Sequence, residues 1–234
     1  MRIITWNCKM KFREDYKLIF PLNPDIIIIP ECEDIEKINL DLFSNTVTDS
    51  IWIGDNRSKG LGVFTFNGFK ITLYQNYNDQ YKYILPLIVS NHEDTYNLIG
   101  CWTKKVKDGL EYIQNLGFSL EEYDTFLNHD KVIICGDLNS NQIWDKSSEY
   151  PNHTDVVEIL SKKGISSSYH SFYNESHGSE TIPTYFHYHQ EKRPFHIDYC
   201  FLSKSLIGKL KKVEIGKYDD WMKYSDHVPM IIEF

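Results

Sequence analysis

Val132-Ile133-Ile134-Cys135-Gly136-Asp137-Leu138-Asn139-Ser140-Asn141 is the stretch on which the reading of this chain turns. Four apolar residues run without interruption, then a glycine, an acid and two amides follow within six positions. Strands exposed on one face alternate apolar and polar residues; an unbroken run is what a strand covered on both faces requires. The polar end has two readings. It is an ordinary turn, or it presents Asp137 and Asn139 to something bound at the edge of a sheet.

The same kind of run recurs along the chain, at Ile3–Trp6, Ile26–Ile29, Ile51–Ile53, Leu61–Phe66, Ile71–Tyr74, Ile84–Val89, Leu98–Trp102, Val132–Cys135, Ile197–Leu202 and Val228–Phe234. These segments are mostly β-branched or aromatic and are bounded by turn residues, so they predict strands. Three stretches predict helices: Arg13–Phe20, about Leu110–Asn128, and Thr154–Lys163. The last is preceded by Asn152 and His153, with Asn152, His153 or Thr154 as the cap, and followed by Gly164. No repeat, low-complexity tract or Pro/Gly/Ser linker divides the chain. The expectation is one α/β domain over residues 1–234, with two sheets packed together and helices outside.

Composition narrows the function. Apolar residues make up 41% and aromatics 15% of 234 residues, enough for a sizeable core. No apolar run approaches the roughly 20 residues needed to span a bilayer, and Met1–Asn7 has no signal-peptide pattern. The five cysteines, Cys8, Cys32, Cys101, Cys135 and Cys200, lie in or beside apolar runs with no C-x-x-C. They predict buried reduced thiols in a cytoplasmic protein rather than a disulfide framework or zinc cluster. A net charge of −8 argues against a broad phosphate footprint. It is compatible with a hydrolase that gathers carboxylates around a cation.

Five strand ends carry related chemistry. The first run ends in Trp6-Asn7-Cys8, the second in Glu31, and the run at Val132 in Asp137 and Asn139. Asp198 is embedded in the run around Ile197, and Asp226-His227 precede the final strand. Each alone reads as a turn residue or cap. Together they place charges beside buried aliphatics, where an unpaired charge costs several kcal/mol. A shared cation and a hydrogen-bonded histidine would supply partners. Magnesium takes oxygen ligands and keeps several waters. Glu31 and Asp226 suit it, with Asn7 offering a neutral carbonyl. His227 exchanges protons near neutral pH if a carboxylate such as Asp198 orients it. Asp137 is placed to hold a nucleophilic water, and Asn139 to donate to a phosphoryl oxygen. The inventory suits hydrolysis of a phosphate ester.

The ordered set T-W-N, P-E, G-D-L-N-S, H-I-D-Y and S-D-H-V-P, from Asn7 to His227, resembles the endonuclease/exonuclease/phosphatase superfamily. The resemblance implies a DNase I-like four-layer α/β sandwich, two mostly antiparallel sheets flanked by helices. It implies a phosphodiesterase dependent on Mg2+ or Mn2+ that acts on nucleic acid, DNA in the first place. The alternative is a phosphatase or phosphodiesterase for a small or lipid head-group phosphate such as an inositol phosphate. It assigns Asn7, Glu31 and Asp226 to the metal, Asp137 and Asn139 to the nucleophile and transition state, Asp198 to orienting His227, and His227 to the scissile phosphate as base or stabiliser. With every main catalytic position filled, a catalytically dead binding module is disfavoured. No membrane or obligate protein partner is expected.

Two positions depart from the pattern. Where many members carry a second catalytic His, or a Tyr or Asn, this chain has Trp102-Thr103-Lys104. Trp102 could stack on a base and Lys104 could meet a phosphate. Lys9 stands where some abasic-site enzymes have an acid. Five of the nine histidines fall between His170 and His196. His187 and His189 would share a strand face, although no Cys or acid completes a tetrahedral metal set with them. The stretch reads as a substrate-facing loop and hairpin, with Tyr185, Arg193 and His196 as its substrate contacts.

Overall fold

In the central strands neighbouring residues of an apolar run face two different cores, and this explains why those runs do not alternate. The computed structural model describes residues 1–38, 46–105, 110 and 112–234. Its strands are Arg2–Thr5 (β1), Ile26–Cys32 (β2), Asp49–Asn56 (β3), Lys59–Thr65 (β4), Lys70–Leu73 (β5), Ile84–Ser90 (β6), Thr95–Trp102 (β7), Val132–Asp137 (β8), Ile165–Ser167 (β9), Tyr185–Phe186 (β10), Pro194–Phe195 (β11), Asp198–Ser203 (β12), Lys212–Ile215 (β13) and Met230–Glu233 (β14). Its α-helices are Phe12–Ile19 (α1), Ile113–Glu122 (α2), Asp124–Leu127 (α3), His153–Lys162 (α4), Ser168–Tyr173 (α5), Lys204–Ile207 (α6) and Tyr218–Trp221 (α7).

One sheet runs β13-β14-β1-β2-β4-β3 and the other β5-β6-β7-β8-β12-β9. Only β1/β2 and β7/β8 are parallel among the described strand pairs. Ile26 and Ile28 face the inner core with Leu61 and Val63, against Leu85, Leu98 and Ile133 of the other sheet. Ile27 and Ile29 face the other way and meet Phe12 and Ile19 of α1. In the second sheet Ile133 and Cys135 point inward, while Val132 and Ile134 meet Leu116 and Leu120 of α2 and Leu160 of α4. Helix, sheet, sheet and helix give the expected four-layer sandwich. Ile26, Ile27, Ile28 and Ile29 are all fully buried, each contributing about 2 kcal/mol of transfer free energy.

The expected helix over Leu110–Asn128 is two helices, α2 and α3, separated by Tyr123; Glu111 lies outside the described residues. The third expected helix begins one residue early, because Asn152 is the cap. Its side chain accepts from Asp155 N at 3.0 Å, and Asp155 Oδ2 accepts from Asn152 N at 2.8 Å, a complete capping box. Asn152→Ala is expected to cost about 1 kcal/mol, measured as a fall in the urea midpoint at unchanged slope. The five cysteines are free and buried. No described helix is long and apolar enough to cross a membrane.

The topology collects the polar strand ends. Parallel β1 and β2 finish at one edge of their sheet, and β14, antiparallel to β1, starts there. In the other sheet β8 finishes where antiparallel β12 begins, so that Asp137 and Asp198 are register partners.

Candidate active site

β8 ends on a carboxylate that is fully buried. Asn139 then turns back with φ 43°, a left-handed conformation that asparagine tolerates better than most residues. The turn lets Asn139 N donate to Asp137 Oδ1 at 2.8 Å and Asn139 Nδ2 to Asp137 Oδ2 at 3.1 Å. Asn7, just past β1, donates its Nδ2 to the same Oδ2 at 3.0 Å. Burial and the nearby charge of Asp198 hold the Asp137 carboxyl above its ordinary value; His227 and the donors from Asn7 and Asn139 oppose them. Asn139 Nδ2 also donates to Thr103 O at 3.0 Å. Both amide hydrogens are thus engaged, and Asn139 in this state positions Asp137. Donation to a phosphoryl oxygen requires one of them to be released when substrate binds.

Asp198, at the start of β12, accepts from His227 Nδ1 at 2.8 Å. His227 Nε2 lies 4.0 Å from Asp137 Oδ2, across the gap between the two sheets. The backbone that carries the ring is held as well. His227 N donates to Ser225 Oγ at 3.1 Å, Ser225 Oγ donates to Asn7 O at 2.7 Å, and Trp6 Nε1 donates to His227 O at 3.1 Å. Burial alone would push the His227 imidazole down. The charge and hydrogen bond of Asp198, then Asp137 and Asp226, outweigh it and raise the imidazole to about 9.

Glu31 and Asp226 are each about one-fifth exposed and each paired with a lysine. Lys59 Nζ is 3.0 Å from Glu31 Oε2, and Lys9 Nζ is 3.3 Å from Asp226 Oδ2. An ammonium thus sits at each carboxylate expected to serve the metal. This donor set, all oxygen and open to water, fits a hard divalent cation that keeps part of its hydration. The tighter group is Asp137, Asp198 and His227, whose ligand atoms lie within 4.8 Å of one another. That group is at most 5% exposed and is internally hydrogen-bonded, whereas magnesium keeps several waters. It fits proton handling better.

The remaining expected contacts divide. Tyr185 packs its ring 4.6 Å from that of His227 and pairs with it as an isolated bridge. Arg193 is exposed on the hairpin formed by β10 and β11. Lys104 is paired with Asp55 at 3.3 Å. Trp102 is a correction: it is 4% exposed, packs edge-on against Tyr83 at 4.9 Å in the inner core, and offers no face for stacking a base. His196 is another, 3% exposed and bonded through Nδ1 to Ile182 O at 2.8 Å. His187 and His189 do not share a strand face. They sit in a 3-10 turn broken by Tyr188 at φ 55°, and His189 Nε2 reaches Lys9 Nζ at 2.7 Å. Sequence reasoning missed Lys59 and the hydroxyl of Ser225. Ser225 had a visible signal in its place beside Asp226-His227; Lys59 had none.

No protein-family profile and no curated protein matches this chain. Solved structures do. They include a 3′-5′ exonuclease (NExo) from Neisseria meningitidis, with 19% identity and a TM-score of 0.73 over 100% of this chain and 99% of that one. An AP endonuclease from Archaeoglobus fulgidus gives 16% identity and 0.73 over the same shares. The endonuclease domain of TRAS1, a telomere-specific non-LTR retrotransposon, gives 13% and 0.68 over 99% and 96%. At these identities the likeness establishes the fold alone, a DNase I-like α/β sandwich.

Proposed function

We propose that the chain, as one catalytic domain, is a divalent-metal-dependent phosphodiesterase that hydrolyses nucleic acid, DNA in the first place. The observation that carries this reading is the buried Asp137 carboxylate, fixed by Asn7 and Asn139 and facing an imidazole that Asp198 orients. The structural neighbours named as nucleases support it, and a further structure of NExo is bound to a product DNA hairpin. Five buried free cysteines suit a reducing compartment, and we assign the chain to the cytoplasm.

Magnesium or manganese, held by Glu31 and Asp226 with Asn7 nearby, supplies charge neutralisation at the scissile phosphate when bound. Asp137 accepts the proton of the attacking water. His227, held protonated by Asp198, donates from Nε2 to a phosphoryl oxygen as charge develops there. This favours a stabiliser over a base for His227. Tyr185, Lys104 and Arg193 are the side chains left for the nucleic-acid backbone.

The test is cleavage of end-labelled single-stranded, duplex, abasic and 5′-tyrosyl DNA, RNA and an inositol polyphosphate, each with magnesium, manganese or EDTA. Metal-dependent cutting of nucleic acid is the expected result, and product lengths separate endonucleolytic from exonucleolytic action. Glu31→Gln is expected to raise the metal concentration at half-maximal rate at least tenfold, roughly. Phosphate released from the inositol compound alone would overturn the reading.

A further inference from the structure

We propose that His170, His177 and Glu180 form a second metal site, for a borderline transition-metal ion of the zinc(II) class. Their ligand atoms lie within 4.8 Å of one another. Two imidazoles and a carboxylate are a zinc donor set rather than a magnesium one. The acid is Glu180, ten residues beyond His170, and the histidines are not the His187 and His189 that the sequence suggested.

The surroundings are built for it. His170 Nε2 is 3.0 Å from Glu180 Oε1, and Asn141 Nδ2 donates to Glu180 Oε2 at 3.1 Å. His153 lies beyond, its ring centre 5.6 Å from that of His177, and His196 lies 6.3 Å from His170. Three ring nitrogens of this cluster, His177 Nδ1, His153 Nε2 and His196 Nε2, are buried without a hydrogen-bond partner. They are three of only eight such side-chain atoms among the described residues. Each such atom costs about 1–3 kcal/mol. Bonds from Nδ1 to Ser140 Oγ and to Ile182 O account for the imidazoles of His153 and His196; a ligand for a cation accounts for that of His177.

The protonation states agree. Burial lowers His177 to about 3 and His153 to about 4, so both are neutral near pH 7. Burial would raise Glu180, but hydrogen bonds from His170, Asn141 and backbone amides hold it down at about 2. A neutral His177 and an ionised Glu180 are the forms that coordinate. His170 and His177 are stacked at 3.6 Å with 20° between the rings. Loading therefore turns the His177 ring, since ligand atoms in a tetrahedral zinc site sit only about 3.4 Å apart. A cavity of about 250 Å³ lined by Ser167, His170, Ser171 and His177 opens on the cluster and gives water access to a fourth position.

The site lies behind the candidate catalytic turn. Asn141, two residues past Asn139, bridges Glu180 to His196 O at 2.9 Å, and His153 Nδ1 is 3.2 Å from Ser140 Oγ. An ion held there braces this turn without touching the oxygen ligands Glu31 and Asp226.

The experiment uses the whole protein, stripped with a chelator and kept in excess magnesium. Zinc(II) is titrated against a chromophoric competitor, and cobalt(II) is added separately for its visible d–d bands. Expected are one zinc per chain, intense tetrahedral-type cobalt bands and a higher Tm with zinc. His177→Ala and Glu180→Gln should each weaken zinc at least 100-fold, roughly, while Glu31→Gln leaves the zinc stoichiometry unchanged. His177→Phe keeps the ring packing if the alanine variant does not fold. Absence of zinc uptake by the wild-type protein in magnesium overturns the proposal, as does uptake lost in Glu31→Gln and retained in the His177 variants.

Discussion

Asp198→Asn is expected to lower kcat about 10³-fold while leaving KM and the fold nearly unchanged, and to move the alkaline limb of the pH–rate profile to lower pH. The substitution is isosteric. Among the described residues Asp198 Oδ2 accepts only from His227 Nδ1 and Oδ1 has no hydrogen bond, so no other bond among them is lost. What changes is the imidazole. Burial acts to deprotonate His227, and Asp198 is the largest influence holding the proton on. An amide removes that charge and favours the wrong ring tautomer. The sign follows directly. The protonated imidazole is the working form, so wild-type activity falls as pH rises through about 9, and in the variant it falls earlier. The acid limb belongs to Asp137, which must be ionised to accept a proton, and it survives the change. Rates on the best substrate of the panel, from about pH 5 to 10, decide the matter. A uniform loss at every pH with the limb in place would leave Asp198 a structural role only.

The parts of this arrangement that could be read from the sequence are those whose cause is local. Ile26 to Ile29 and Val132 to Cys135 are unbroken because both faces are covered, and that signal survives in any context. β9 and β13 escaped because they are short and half or more polar; they are strands because β12 and β14 offer them a pairing edge. β10 and β11 have two residues each, too few for any periodicity. Acids following buried runs had to have partners, so Asp137, Asp198 and His227 were visible as a set. The lysines on Glu31 and Asp226 were not, since Lys9 and Asp226 stand 217 residues apart and only the fold joins them. Trp102 was misread, although strand parity held the answer. It shares its side of β7 with Leu98, which faces the inner core, while Ile99 and Cys101 face the helices.

Gly136→Ala is expected to destabilise the protein by about 3 kcal/mol or more and to abolish cleavage along with stability. Gly136 has φ 148°, and a Cβ there would lie 1.9 Å from Cys101 O and 2.8 Å from Cys101 C. Those are backbone atoms of β7, the parallel neighbour in register with Gly136 and Asp137. They cannot swing aside as a side chain would. Relief requires β8 to part from β7 at Cys101/Gly136 and Trp102/Asp137, and the second of these carries the Asp137 carboxylate. The comparison that isolates the effect is Gly164→Ala. Gly164 also has positive φ, at 69°, but nothing lies within 4 Å of the place its methyl group would take, so only the backbone preference of about 1 kcal/mol is lost. Urea unfolding of both variants separates the two contributions. A gap of at least about 2 kcal/mol between them supports a catalytic carboxylate pinned by close approach of two backbones. Equal losses would mean that β8 can shift without penalty, and that the rigidity ascribed to Asp137 comes from its hydrogen bonds to Asn7 and Asn139 alone.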